Sequence, residues 1–172
     1  MNYKHLDKEN FNDFYNILVE SFPEDERRGQ AGQYEVFQDD NYKVLGFENE
    51  EKLIGFIAYW EFDAFIYIEH FAFAKECRNK GFGSKILNDF IKSSPKKVIL
   101  EVELPKDSIS INRIKFYERN KFLLNDYYYM QPAYEKDRSP IELKLMSYPA
   151  KLSLEEFENF KENVYNKVYK IC

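Results

Sequence analysis

Arg78-Asn79-Lys80-Gly81-Phe82-Gly83 is the stretch on which the fold turns. It lies between an apolar run, Phe65 to Ala74, that reads as a strand, and a helix-like run beginning near Ser84. Two glycines in a short strand-to-helix loop let backbone N–H groups gather at a helix N-terminus. Those donors and the helix dipole suit a pyrophosphate. Gly81 and Gly83 permit close approach of the backbone and unusual φ values, and Arg78 and Lys80 add positive charge. An ordinary capping turn would use the same residues, so the flanking elements decide between the two.

Phe65 to Ala74 is apolar on both faces, which predicts a central strand. After the loop, Ile86, Leu87, Phe90 and Ile91 mark one face of a helix over 84–91 that Ser93-Ser94-Pro95 ends. Lys97 to Leu104 reads as the next strand. Strand, loop, helix and strand in that order make a βαβ crossover, so the two strands should be parallel. Upstream, Phe11, Phe14, Tyr15, Leu18 and Val19 predict an amphipathic helix over 8–20. Pro23 is then expected to open a second helix running to about residue 38, with Glu24, Asp25 and Glu26 in its first turn. Gly29 and Gly32 weaken that helix, leaving it kinked or partly a loop. Residues 42–48 and 53–61 read as strands joined by a hairpin turn over Glu48-Asn49-Glu50-Glu51-Lys52. Downstream come a helix over 109–120, short strands near 122–130 and 141–147, and a helix over 153–170. Ser153 and Glu156 form a capping box at the start of that last helix.

With 172 residues the chain suits one domain with a sizeable core. A net charge of −5 argues against a broad nucleic-acid footprint. The 16 Phe and 14 Tyr exclude a disordered chain. Cys77 and Cys172 stand far apart and make neither a disulfide framework nor a metal motif, and His5 and His70 are too separated for a zinc site. Lys4, Asp7 and Glu9 stand where a signal peptide would need an apolar run, and no stretch would span a bilayer. A cytoplasmic protein without membrane contact is the expectation.

Three pieces, Ile68-Glu69-His70-Phe71-Ala72-Phe73, Arg78 to Gly83, and Phe116-Tyr117-Glu118-Arg119-Asn120-Lys121-Phe122, occur in this order on these elements. Together they resemble the GNAT superfamily of acetyl-CoA-dependent N-acetyltransferases over roughly residues 2–147. The resemblance implies an α/β (α+β) GNAT fold. Its centre is a mixed, mostly antiparallel sheet with one parallel, splayed strand pair and helices on both faces. The acetyltransferase domain is expected over 1–148, with a C-terminal helix over 149–172 packed on the domain or at a dimer interface. Two positions depart from the family pattern. Many members have glycine where Lys121 stands, so the helix end there should be made differently. Many have a cofactor-contacting asparagine where Ser110 stands, and Asn112 is nearby but out of register.

The same resemblance implies direct transfer of an acetyl group from acetyl-CoA to a primary amine, without a metal. The backbone of Phe71, Ala72 and Phe73 would pair with the pantetheine arm as a substitute strand. Arg78, Asn79, Lys80, Gly81, Phe82, Gly83 and Ser84 would cradle the pyrophosphate, with Asn112 a further candidate contact. Tyr117 matches the family tyrosine near the sulfur. As a phenol protonated at neutral pH, it could donate to the departing thiolate. For the base, Glu69, Glu101 and Glu103 stand on the two strands expected to flank the acetyl group, and a water relay is equally allowed. Glu69 shares a face with Tyr67, Phe71 and Phe73, whereas Glu101 and Glu103 share one with Ile99. Glu24-Asp25-Glu26-Arg27-Arg28 borders the acceptor site in this family, but its mixed charge selects no acceptor. Cys77 reads as incidental to a direct transfer, and His70 as a packed strand residue.

Two rival readings use the same loop. One is a CoA-binding module without catalysis, which would bind acetyl-CoA and release no thiol. The other is a nucleotide-binding regulatory domain, although the loop lacks the Gly-Lys-Ser/Thr ending of a P-loop. The last helix carries Leu152, Leu154, Phe157, Phe160, Val164, Tyr165, Val168 and Tyr169, more apolar surface than a free tail would have. That leaves monomer and homodimer both open.

Overall fold

The computed structural model describes residues 2–78 and 80–171. Asn79 and Cys172, both named above, lie outside the described residues. The described strands are β1 (Asn2–His5), β2 (Tyr42–Asn49), β3 (Lys52–Glu61), β4 (Phe65–Phe73), β5 (Lys97–Glu103), β6 (Leu123–Leu124), β7 (Tyr129–Gln131) and β8 (Ile141–Tyr148). The α-helices are α1 (Phe11–Ser21), α2 (Gln30–Val36), α3 (Phe82–Ser93), α4 (Ser108–Arg119) and α5 (Leu154–Lys167). Hydrogen-bonded neighbours run β1-β2-β3-β4-β5-β8-β6, with β7 also paired to β8. The sheet is mixed, with β4 and β5 as its one parallel pair and helices flanking it, as the crossover required. The chain divides into two units, Met1–Glu61 with Ile68–Gly81, and Phe62–Tyr67 with Phe82–Cys172.

In the first unit β1, β2 and β3 pair antiparallel, with Asn2 opposite Glu48 and Tyr42 opposite Trp60. β1 was not foreseen. Its Asn2-Tyr3-Lys4-His5 is exposed throughout, so no buried face imposes an apolar alternation on it. The β2–β3 hairpin turns through Glu50 and Glu51, both at positive φ, in a turn that usually takes Asn and Gly. α1 buries Phe11, Phe14, Ile17 and Leu18, and the Phe14 ring meets Phe56 at 4.7 Å. The helix expected from Pro23 to residue 38 is not continuous. A 3-10 turn over Glu24–Glu26 is followed by extended backbone at Arg27, and α2 begins only after Gly29, its N-cap. The break is held from inside. Arg27 is buried and its Nε donates to the Phe22 carbonyl at 3.0 Å, a bond that would be lost if the segment coiled on.

In the second unit β5 and β8 pair antiparallel from Val98–Tyr148 to Glu103–Leu143. α3 buries Ile86, Leu87, Phe90 and Ile91, the face its spacing predicted. The strand expected over 122–130 is split at Asn125. This buried amide donates to the Leu145 carbonyl and to Ser147 Oγ, and its Oδ1 accepts from the Leu152 N–H at 2.8 Å. Its own N–H still donates to the Leu145 carbonyl at 2.9 Å, so the chain leaves the sheet only after Asn125. α5 starts with the capping box of Ser153 and Glu156 and buries Phe157, Phe160 and Val164. Phe160 packs against Phe65, Tyr67 and Tyr129, and Phe157 stacks on Tyr127 at 4.3 Å.

Both departures from the family pattern are absorbed at the ends of α4. Ser110 is buried in a capping box, its N–H and Oγ both donating to Asp107. At the other end Lys121 adopts φ +68. Its N–H donates to the Glu118 carbonyl at 2.9 Å, while the Phe122 N–H reaches the Tyr117 carbonyl at 3.0 Å. The Tyr117 and Phe122 rings sit 5.6 Å apart. This is a complete Schellman end. The expectation of a different cap is therefore corrected: the geometry is the one glycine favours, adopted by lysine. Lys121→Gly should then stabilise the chain by about 1 kcal/mol, the strain of a left-handed non-glycine residue. A urea denaturation midpoint that falls or stays put would contradict this.

Candidate active site

In the first unit the strand-to-helix loop is tied down by Arg78. Its Nε donates to the Phe73 carbonyl at 2.9 Å and its Nη2 to Ser21 Oγ at 3.0 Å, with Glu20 at 3.9 Å. Its own N–H donates to the Lys75 carbonyl at 3.4 Å. The Arg78 guanidinium thus braces the loop from β4 to the end of α1. Lys80 is exposed. Gly81 has φ +80, and a Cβ built on it would meet nothing within 4 Å. Such a residue presents bare backbone to open space, which is what an approaching diphosphate requires. Gly55 matters for a different reason. A Cβ there would lie 2.6 Å from the Ala72 carbonyl, so glycine lets β3 and β4 close up behind Phe71, Ala72 and Phe73. Phe71 and Phe73 pack on Phe47 at 6.2 and 5.6 Å, and Ala72 is buried.

Glu69 lies in a buried ion pair. Arg28 Nη1 lies 2.9 Å from its Oε1, and the two side chains are 7% and 0% exposed. Arg28 also lies over the Trp60 ring, 5.9 Å from its centroid. Next to Glu69, His70 Nε2 donates to the Glu26 carbonyl at 2.9 Å. Burial holds the imidazole below its ordinary value against the opposing pull of Glu69 and that carbonyl. It is therefore neutral at neutral pH. Its ring packs on Phe22 at 4.6 Å, as a strand residue in a core does. The expected mixed-charge face over residues 24–28 is also resolved. Arg27 and Arg28 are buried, whereas Glu24 and Asp25 are exposed.

In the second unit Ser84, in the first turn of α3, is joined to the end of α4. Asn120 Nδ2 donates to Ser84 Oγ at 3.1 Å, and Asn88 Nδ2 donates to both the Ser84 carbonyl and Asn120 Oδ1. Asn88 and Asn120 were not singled out as site residues. Their i,i+4 and i,i+3 spacing to Ser84 and Tyr117 is too common to signal a link between helices. Phe82 and Gly83 are half-buried in the first turn of α3, and Asn112 is exposed on α4. Tyr117 is 8% exposed, and burial pushes its phenol up to about 12, with Arg113 pulling the other way. It keeps its proton throughout the neutral range.

Glu101 and Glu103 have different surroundings. Glu103 pairs with Arg113 at 2.5 Å, with both side chains over a third exposed. Glu101 accepts from the hydroxyls of Tyr67 at 2.8 Å, Tyr129 at 2.5 Å and Tyr169 at 3.3 Å. Among the described residues no group of three or more His, Cys, Asp or Glu side chains could hold a metal ion, and no helix is long and apolar enough to cross a membrane.

The model of the Acetyltransferase (GNAT) family matches residues 11–122. "Putative acetyltransferase YjbC" of Bacillus subtilis (strain 168) is 28% identical over 111 residues, 63% of this chain and 56% of that protein. The match thus spans little more than half of that relative's length. A solved structure from Bacteroides thetaiotaomicron, a "putative acetyltransferase from GNAT family", aligns over 100% of both chains with a TM-score of 0.92 and 29% identity. An aminoglycoside 6'-N-acetyltransferase complexed with coenzyme A shares the fold at a TM-score of 0.65 and 12% identity, over 86% of this chain and 96% of that one.

Proposed function

The chain belongs to the acetyltransferase (GNAT) family, and on that premise we propose that it moves an acetyl group from acetyl-CoA to a primary amine by direct transfer. The observation that carries this reading is the family match itself, because residues 11–122 include the glycine loop, β4 and Tyr117 together. Acetyl-CoA supplies an activated acyl carbon whose sulfur leaves as a thiolate once the amine nitrogen has bonded to that carbon. The chain must then remove a proton from the amine and return one to the sulfur. Backbone groups of Phe71, Ala72 and Phe73 receive the pantetheine arm, and the loop from Arg78 to Ser84 receives the pyrophosphate. The open approach over Gly81 supports that second role. Tyr117, protonated at neutral pH, is the acid for the thiolate. Glu69, Glu101 and Glu103 are the carboxylates from which the base is drawn. With Arg27 and Arg28 turned inward, the outward charge of residues 24–28 is acidic. That favours a cationic amine over an acidic acceptor.

The test is CoA release from acetyl-CoA with a panel of polyamines, amino acids, aminoglycosides and peptide N-termini, followed by mass spectrometry of the acetylated product. Binding of acetyl-CoA without thiol release from any amine would favour the non-catalytic module. Competition by ATP would favour the nucleotide reading. Within this scheme Gly81→Val should raise the Kd for acetyl-CoA about tenfold. A β-branched residue at φ +80 costs about 1–3 kcal/mol unless the loop moves. An unchanged Kd by calorimetry would remove the loop from the binding site.

A further inference from the structure

Three carboxylates compete for the role of base, and their partners are not alike. Glu69 faces a buried guanidinium and has no exposed side-chain surface, and Glu103 is ion-paired to Arg113. Glu101 is half-buried on β5 and gathers hydroxyl donors from three separate parts of the chain. Tyr67 comes from the start of β4, Tyr129 from β7, and Tyr169 from the segment following α5. Two of the three lie beyond residue 122, where the family match ends.

We infer that Glu101 is the carboxylate that takes the proton of the attacking amine, and that Tyr169 of the C-terminal segment is the positioning residue that holds it. The inference rests on the acetyl-transfer reading. The Tyr169 hydroxyl lies 3.4 and 3.3 Å from the two Glu101 oxygens, 3.3 Å from the Tyr67 hydroxyl and 3.5 Å from that of Tyr134. It therefore spans the carboxylate face and meets the Tyr67 and Tyr134 hydroxyls. Its ring is buried and lies 5.0 Å from that of Tyr134. Titratable groups facing Glu101 include Tyr67 on β4, Tyr129 on β7, Tyr165 on α5 and Tyr169, with Tyr134 of the β7–β8 connection behind Tyr169. On β8 the residue opposite Glu101 is Leu145, which does not titrate. Burial first, and then the Glu101 charge, raises Tyr129 and Tyr169 well above the ordinary tyrosine value. Both remain protonated and donate. Hydrogen bonds to a carboxylate favour its ionised form, and Glu101 accepts them from three phenols. The C-terminal segment then belongs to the catalytic machinery, as the part that keeps its base oriented and charged.

Tyr169→Phe removes the hydroxyl and keeps the ring. Two measurements on the full chain decide the matter. One is the pH profile of kcat/KM with an amine accepted in the panel above. The other is the titration of Glu101 by 13C spectroscopy of glutamate carboxyls, its resonance assigned with Glu101→Gln. With one donor gone, both the acid limb and the carboxylate midpoint should move up by about half a pH unit or more, with acetyl-CoA affinity unchanged. A midpoint that does not move shows that Tyr169 does not hold Glu101. A midpoint that moves while the limb stays shows that Glu101 is not the base. Either result overturns the inference while leaving acetyl transfer intact. If no amine is acetylated, the transfer reading fails and the role of base falls with it.

Discussion

Tyr117→Phe should lower kcat by about 100-fold, in the range that a lost general acid costs, with the Kd for acetyl-CoA unchanged. The substitution removes only an oxygen. The ring stays at the end of α4, where it packs on Phe116 and Phe122 and its backbone carbonyl anchors the Schellman end. Structural loss is therefore small, and the effect isolates the proton that the phenol supplies. Its sign with pH can be worked out as well. Burial raises the phenol to about 12, so the acid is loaded across the neutral range. The ratio of native to variant turnover should then be flat over that range. A ratio that climbs or falls there would assign the titration to another group. Full turnover in the variant would remove Tyr117 from the chemistry.

The second large effect concerns Glu69. Glu69→Gln should destabilise the fold by about 3 kcal/mol, because it removes the carboxylate charge from a buried ion pair. Arg28 is the charge left behind, 7% exposed and stacked over Trp60. The amide replacement conserves shape, so cavity formation does not enter. The measurement is the denaturation midpoint, read beside kcat. A base that lost its carboxylate would lower kcat and leave the midpoint in place. A brace that lost its charge does the reverse, and that is the expected outcome here. This pair is the reason that Glu69 gives way to Glu101.

How much of this was visible in the order of residues depends on the range of the physics involved. Gly81 was marked by its place before a helix, and its left-handed φ follows from stereochemistry within a few bonds. The capping box at Ser153, the buried face of α3 and the parallel crossover are of the same kind, since each depends on neighbours within a turn or on apolar periodicity. Failures had the same logic in reverse. β1 has no apolar alternation because neither of its faces is covered. The break before α2 depends on Arg27 reaching back to Phe22, and the split at Asn125 depends on groups of β8 and of the segment before α5.

The sequence by itself determined the crossover around α3, the capping box at Ser153 and the glycine bend before α3. Only the tertiary structure decided which charge meets which. Glu69, Glu101 and Glu103 look interchangeable as glutamates alternating on adjacent strands. The fold gave the first a buried arginine, the second three tyrosine hydroxyls and the third a surface arginine. The reason is one of distance along the chain. A backbone conformation is chosen by atoms a few bonds away, whereas a carboxylate's proton affinity is set by whatever the folded chain brings within a few ångströms of it.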